Sequence, residues 1–306
     1  MKKVQFFIDD VIWVMRDLTR QSPESMFDNP FLGALKKAHE EYGVKTQLNL
    51  FYRTSFFYGD DDFSLKDMTD AYKSEWESAS DWLKLAFHSK EEFPDYPYVN
   101  ASYELVKSNF EHIAGEIKRF AGEKSIALGV VPHWEAMSME GVKALVDSGI
   151  KIMFTTFGDK IDPEGKADTL PYGHGTRLIL NKKPETALFH RITLDTAISN
   201  GICSHNHLTC EQYDAINSND KTITDEKTGM KFKCCHDFTL NLCDMKTLLE
   251  TLDRLISKDY INIANHEQYF YPDYFNYQPD YFERLHKMCE ILKNAGYRFI
   301  FMEELA

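Results

Sequence analysis

The stretch "VQFFIDDVIW" (residues 4–13) decides the fold. From Val4 to Ile8 it is too continuously apolar for a strand with one wet face, so it predicts a strand covered on both sides, as in a parallel sheet. Asp9 and Asp10 stand at its end. Two adjacent carboxylates there must be paired, hydrated or bound to something.

The pattern continues outward as alternating strands and helices. Asp28-Asn29-Pro30 is a helix-start signal before "FLGALKKAHEEYG", which Gly43 stops. "KTQLNLFY" follows as a second strand, then the acidic loop "GDDDF" and a long helical region containing Trp76 and Trp82. "LKLAFHS" is a third strand ending at His88 and Ser89. Beyond it come a helix over about 102–121, a strand over 125–131, the helix "MEGVKALVDSG" and a strand over 150–157. The alternation lapses from Gly158 to Lys233, where a loop or hairpin insertion is expected rather than a separate domain. It resumes with "CDMKTLLETLDRLIS", "YINIAN", a helix from about Pro279 to Ala295 and "YRFIFM". Such alternation is the signature of parallel strands joined by helical crossovers, and seven or eight strands suffice to close a barrel.

Composition narrows the functional classes. The 306 residues are 43% hydrophobic and 27% charged, the balance of an ordinary globular protein. No apolar run approaches the roughly 20 residues that span a bilayer. A formal charge of −13 argues against a nucleic-acid partner and suits a neutral or cationic substrate. Asp9 and Asp10 break the apolar N-terminal segment, so no secretory leader is read there and a cytoplasmic location is expected. The cysteines at 203, 210, 234, 235, 243 and 289 form no C-x-x-C pair and are read as reduced thiols.

In a parallel barrel the carboxyl ends of the strands converge on one mouth. Asp9 and Asp10, His88, Pro132 and His133, and His266 with Glu267 all fall at strand ends. Carboxylate oxygens and neutral imidazoles so gathered can hold a divalent metal. Bland readings compete: Asp10 as a helix cap, His88 as a structural histidine, His133 packed beside Trp134, and His266 hydrogen-bonded with Glu267 and Gln268. "CSHNHLTC" (203–210) is more simply a surface loop than a second metal site. Cys234, Cys235 and His236 lack zinc-finger spacing, and "YGHG" (172–175) is too short for a phosphate cradle. The aromatic segment "YFYPDYFNYQPDYF" (269–282) offers platforms for sugar rings, or else caps the barrel or a subunit contact.

These residues resemble the polysaccharide deacetylases, metal-dependent carbohydrate esterases with a distorted β/α barrel. "FFIDDV" matches the family's Asp-Asp motif, which implies Asp9 as base and Asp10 as metal ligand. "FHSKEEFPDY" supplies His88 and Ser89 of the next motif, with Glu92 where the family has a second His. Glu92 is therefore taken as the third ligand, with Asp95, Glu91 and His133 as alternatives. "VVPHW" keeps Pro132 but has Val130 in place of the family's Arg and His133 in place of its aromatic. "IANHEQ" keeps His266 as general acid, with Ala264 for the usual Leu.

The resemblance implies a distorted (β/α)7-8 barrel over residues 1–306 with an irregular insertion at about 158–233. It implies a hydrolase removing an acetyl group from an N- or O-acetylated carbohydrate or similar small amide. One divalent ion is expected, zinc first, with cobalt, nickel, iron or manganese as alternatives. His133, Trp134, Tyr269 and Tyr271 are expected on the substrate and oxyanion side. The alternatives are an inactive carbohydrate-binding barrel and a glycosidase-like barrel pairing Asp9 with Glu267 or Glu135. A homo-oligomer remains compatible with the sequence.

Overall fold

The computed structural model describes residues 2–54, 62–92, 97–98, 101–135, 137–155, 215, 222–234, 237–274 and 276–306. Strand β1 (Lys2–Val11) is the axis of the fold. Its parallel neighbours are β2 (Thr46–Phe51) on one side and β9 (Tyr260–Ala264) on the other. β2 pairs with β3 (Leu83–Ser89), and β9 with β8 (Phe238–Thr239), all in parallel.

A second sheet continues the circuit. β4 (Gly129–Val130), β5 (Ile152–Thr155) and β7 (Lys231–Cys234) are parallel, and β6 (Ile223–Thr224) forms an antiparallel edge on β7. A parallel bridge between Leu85 and Ile126 joins the two sheets. The parallel strands thus succeed one another in chain order around a partly closed barrel; no pairing between β7 and β8 occurs among the described residues.

The burial of β1 on both faces follows from this position. Val4, Phe6 and Ile8 belong to the core shared with the outer helices, whereas Phe7 belongs to a separate interior cluster with Val131, Ile152, Phe154, Ala264 and Met302. Period-two alternation therefore sorts apolar residues between two dry compartments, not between core and solvent. The last strand, β10 (Tyr297–Ile300), pairs with Lys2–Gln5 of β1, while β2 takes up pairing from Phe6 onward. Met302 then enters the barrel from below, and Lys84 fastens Glu303 at 2.6 Å.

Outer helices start where local chemistry caps them. Asn29 accepts from Phe31 and Leu32 at the head of α2 (Pro30–Tyr42), and Gly43 ends it at φ 72°. Ser102 caps α4 (Tyr103–Phe120), Ser138 caps α5 (Met139–Asp147) and Asp244 caps α6 (Met245–Leu255). α1 (Trp13–Gln21) has no cap of its own, because Ile12 stands at that place. α3 (Lys73–Ala79) and α7 (Tyr281–Asn294) complete the set.

Several expected boundaries shift. Between 125 and 131 only Gly129 and Val130 form strand, since Glu123–Ser125 is a single 3-10 turn. Trp82 lies beyond α3, next to the start of β3. The described end of the expected insertion contributes β6 and β7, and β7 is a barrel strand. The segments 172–175 and 203–210, with Cys235, His236 and Asp95, lie outside the described residues.

Candidate metal centre

At the carboxyl end of β1 the chain leaves regular geometry. Ile8 is opposite Leu48 of β2 but Val11 is opposite Leu50, so the register slips across Asp9 and Asp10. Asp10 takes φ 61°, a left-handed conformation that costs a non-glycine residue on the order of 1–3 kcal/mol. The bulge brings both carboxylates to the mouth, each 4% exposed.

Three donor atoms converge there. Oδ1 of Asp10 lies 3.1 Å from Nε2 of His88 and 3.4 Å from Nδ1 of His133, and the two ring nitrogens are 3.2 Å apart. The remaining nitrogen of each ring fixes its tautomer. Nδ1 of His88 donates to the Val131 carbonyl at 2.6 Å, and Nε2 of His133 donates to the Glu92 carbonyl at 3.0 Å. Each neutral ring therefore turns a lone pair inward, toward the other ring and toward a carboxylate oxygen. Three inward lone pairs repel one another unless a positive charge sits among them. Two imidazoles and a carboxylate, each outer N–H held by a carbonyl, are a donor set that fits a divalent metal.

Charges in the centre agree with this. Burial raises the Asp9 carboxyl to about 7, against the pull of His88. Burial works the same way on Asp10, but the His88 hydrogen bond and the charges of His133 and His266 outweigh it and hold that carboxyl far below its usual range. Burial would lower His88; Asp9 and Asp10 overcome it and lift it to about 9. In the absence of a metal, a proton answers the same demand for positive charge.

Asp9 is held differently. Its Oδ1 accepts from Nδ2 of Asn49 at 2.6 Å, and Asn49 in turn accepts from Gln47 at 2.7 Å. This neutral amide pair stands beside Asp9. His266 bridges to Asp9 in parallel register, and its Nδ1 donates to Oδ1 of Asn241 at 3.0 Å.

The structure brings Asp9, Asp10, His88, His133 and His266 to one end of the barrel. Of the positions weighed for the third ligand, His133 completes a donor triangle with Asp10 and His88, and the Glu92 carbonyl accepts from its outer nitrogen. Glu91, one of the alternatives, pairs with Arg53 at 2.6 Å. Tyr271 is also reassigned, because it packs edge-on against Trp13 at 4.8 Å and is only 6% exposed. Tyr269 lies 6.1 Å from His266 between ring centroids, and burial raises its hydroxyl to about 12. Trp134 sits beside His133 at φ 62°, followed by Glu135 at φ 56°.

Asn49, Gln47 and Asn241 escaped the sequence reading, and Gln268 entered it only as a neighbour of His266. A signal existed for two of them: Gln47 and Asn49 recur at period two inside an otherwise apolar strand, which marks one face as polar and inward. Asn241 and Gln268 come from turns, where polar residues are commonplace.

No family model and no curated protein matches the sequence. Among solved structures, a 4-α-glucanotransferase from Thermococcus litoralis aligns over 100% of this chain and 40% of its own, with TM-score 0.55 and 12% identity. The chain thus spans less than half the length of that protein. A family 4 acetyl xylan esterase from Clostridium thermocellum, in complex with cobalt, aligns over 99% of this chain and 90% of its own at TM-score 0.43 and 12% identity. A pseudoenzyme of the CE4 family from Bacillus anthracis aligns over 99% and 65%, at 0.42 and 12%. At 12% identity the likeness to the glucanotransferase is one of fold alone.

Proposed function

We propose that the protein is a metal-dependent hydrolase that removes an acyl group, acetyl first, from an N- or O-acylated carbohydrate or a similar small amide. The observation that carries this reading is the triangle of Asp10, His88 and His133, with inward lone pairs no more than 3.4 Å apart. These three residues would hold the ion, zinc by preference for two imidazoles and a carboxylate. A bound divalent ion supplies Lewis acidity toward the acyl oxygen and lowers the pKa of water to about 7.

The chain's own groups do the rest. Asp9, buried and raised to about 7, is matched to taking a proton from water near neutrality. Asn49 orients it. His266, held through Nδ1 by Asn241, presents Nε2 to protonate the leaving amine or alcohol. The closed interior below, filled by Phe7, Ile152, Phe154 and Met302, keeps bulk water from that side.

A glycosidase pairing Asp9 with Glu267 has less support. Both Glu267 oxygens accept main-chain N–H groups and are not turned to the mouth. The test is acetate release from a panel of N- and O-acetylated sugars, with chelator and with added zinc or cobalt. Release that stops with chelator and returns with metal supports the reading; bound metal with no release from any member leaves the binding barrel in its place.

A further inference from the structure

The feature that needs explanation is the head of α1. Helices α2, α4, α5 and α6 are capped by a nearby Asn, Ser or Asp. α1 begins after Ile12, which offers no cap, and its first N–H groups are satisfied from the far end of the chain. Glu267 accepts from Ile12 at 2.8 Å and Trp13 at 2.9 Å through Oε2, and from Val14 at 2.7 Å through Oε1. Its side chain is fully buried, and Tyr271 approaches Oε1 at 3.4 Å. A serine at position 12 would satisfy the helix without burying a carboxylate. What a local cap cannot do is tie the exit of β1 to the exit of β9.

The ties at that point are all between the same two segments. Asp9 N–H donates to the Asn265 carbonyl at 2.8 Å, and Glu267 N–H donates to the Asp9 carbonyl at 3.1 Å. Gln268 Nε2 donates to Oδ2 of Asp10 at 2.9 Å. Asp10 is therefore gripped before, after and at its own carboxylate, in the left-handed bulge where the register with β2 slips. With Oδ2 committed to Gln268, Oδ1 is the oxygen that faces His88 and His133.

We infer that Glu267 and Gln268 are positioning residues for Asp10: Glu267 holds the bulge by clasping the head of α1, and Gln268 sets which carboxylate oxygen enters the metal centre. This rests on the metal reading above. Neither residue touches the ion; both act through the geometry of Asp10.

The test is cobalt(II) titration of the metal-free full chain, followed by visible absorption and by competition with zinc. Glu267→Gln and Gln268→Met are each expected to weaken binding by about 10- to 100-fold and to alter the cobalt bands. Asn29→Ala, which strips the cap from α2 away from the mouth, is expected to lower the melting temperature with wild-type affinity and wild-type bands. A folded Glu267→Gln that binds like wild type overturns the inference, as does an equal loss of affinity in Asn29→Ala. If Glu267→Gln does not fold, Gln268→Met leaves the α1 cap intact and decides alone, unchanged affinity and bands overturning the inference. Wild-type protein that takes up no cobalt removes the metal reading and the inference together, an outcome distinct from tight wild-type binding with indifferent variants.

Discussion

His88 and His133 face each other through ring nitrogens 3.2 Å apart, each ring anchored behind by a main-chain carbonyl. The carbonyls come from Val131 and Glu92, so each ring's tautomer is set by the segment that carries the other ring: Val131 lies two residues before His133, and Glu92 four after His88. Replacing either ring removes one donor and also frees the other to rotate.

Metal analysis should report this directly. His88→Ala and His133→Ala are expected to purify without the divalent ion that wild type retains, and Glu92→Ala is expected to keep it, since position 92 contributes its carbonyl. Elemental analysis of the three variants is the check. Loss of metal from Glu92→Ala, with retention in His133→Ala, would restore the carboxylate to the ligand set.

Asp9 and Asp10 adjoin in sequence but should fail differently. Asp9→Asn is expected to keep the ion and to lower turnover by about 10²- to 10⁴-fold, the usual worth of a positioned general base. Asp10→Asn is expected to lose both. Steady-state rates paired with metal content separate them, and an Asp9→Asn variant at full speed would move the base elsewhere.

Stability of the metal-free protein should fall as pH rises. Asp9 and Glu267 are raised by burial to about 7, from 3.8 and 4.5, so above these lower values the unfolded chain releases protons that the folded chain keeps. Their contribution is therefore lost as pH climbs toward 7. His88 is lifted from 6.5 to about 9 as Asp9 and Asp10 outweigh its burial, so its stabilisation is full below 6.5 and is lost through 9. Asp10 works in the opposite sense, but only as pH falls below 3.8. Melting temperatures with chelator should drop from about pH 5 to about pH 9. With zinc the drop should shrink or reverse, because the ion displaces the His88 proton and binds more tightly as pH rises. A chelated protein that grows more stable over that range contradicts the charge scheme.

The floor of the barrel offers a test independent of chemistry. A Cβ at Gly129 would stand 2.4 Å from Cβ of Met302 and 3.1 Å from Cγ2 of Ile152. Gly129→Ala is expected to destabilise by about 1–3 kcal/mol through overpacking. Met302→Ala in the same chain should not recover it, because alanine keeps the Cβ that is struck and leaves a cavity beyond it. Urea unfolding of the single and double variants measures both.

Much of this architecture was legible in the sequence because strand, cap and stop signals are local. Asn29-Pro30 and Gly43 bound α2, and the doubly buried run of β1 announced a parallel sheet. Asp9, Asp10, His88 and His266 were visible because strand ends in a parallel barrel share one mouth. The third member of the cluster was expected at Glu92, with His133 among the alternatives: which of them turns inward depends on the path taken after β3, which no side-chain period encodes. Glu267 stood between a structural and a chemical reading, since a carboxylate beside a candidate acid suggests either until its three main-chain partners, more than 250 residues away, are seen.

The interleaving of β2 and β10 along one edge of β1 has a consequence for biosynthesis. Lys2–Gln5 find their partners only at residues 260–262 and 297–300. Strand β1 therefore waits, with Lys2–Gln5 unmatched, until residues some 260 to 300 positions further along have been translated. Contacts of such long sequence separation form slowly, so the nascent protein needs shelter from sticking to its neighbours during that delay.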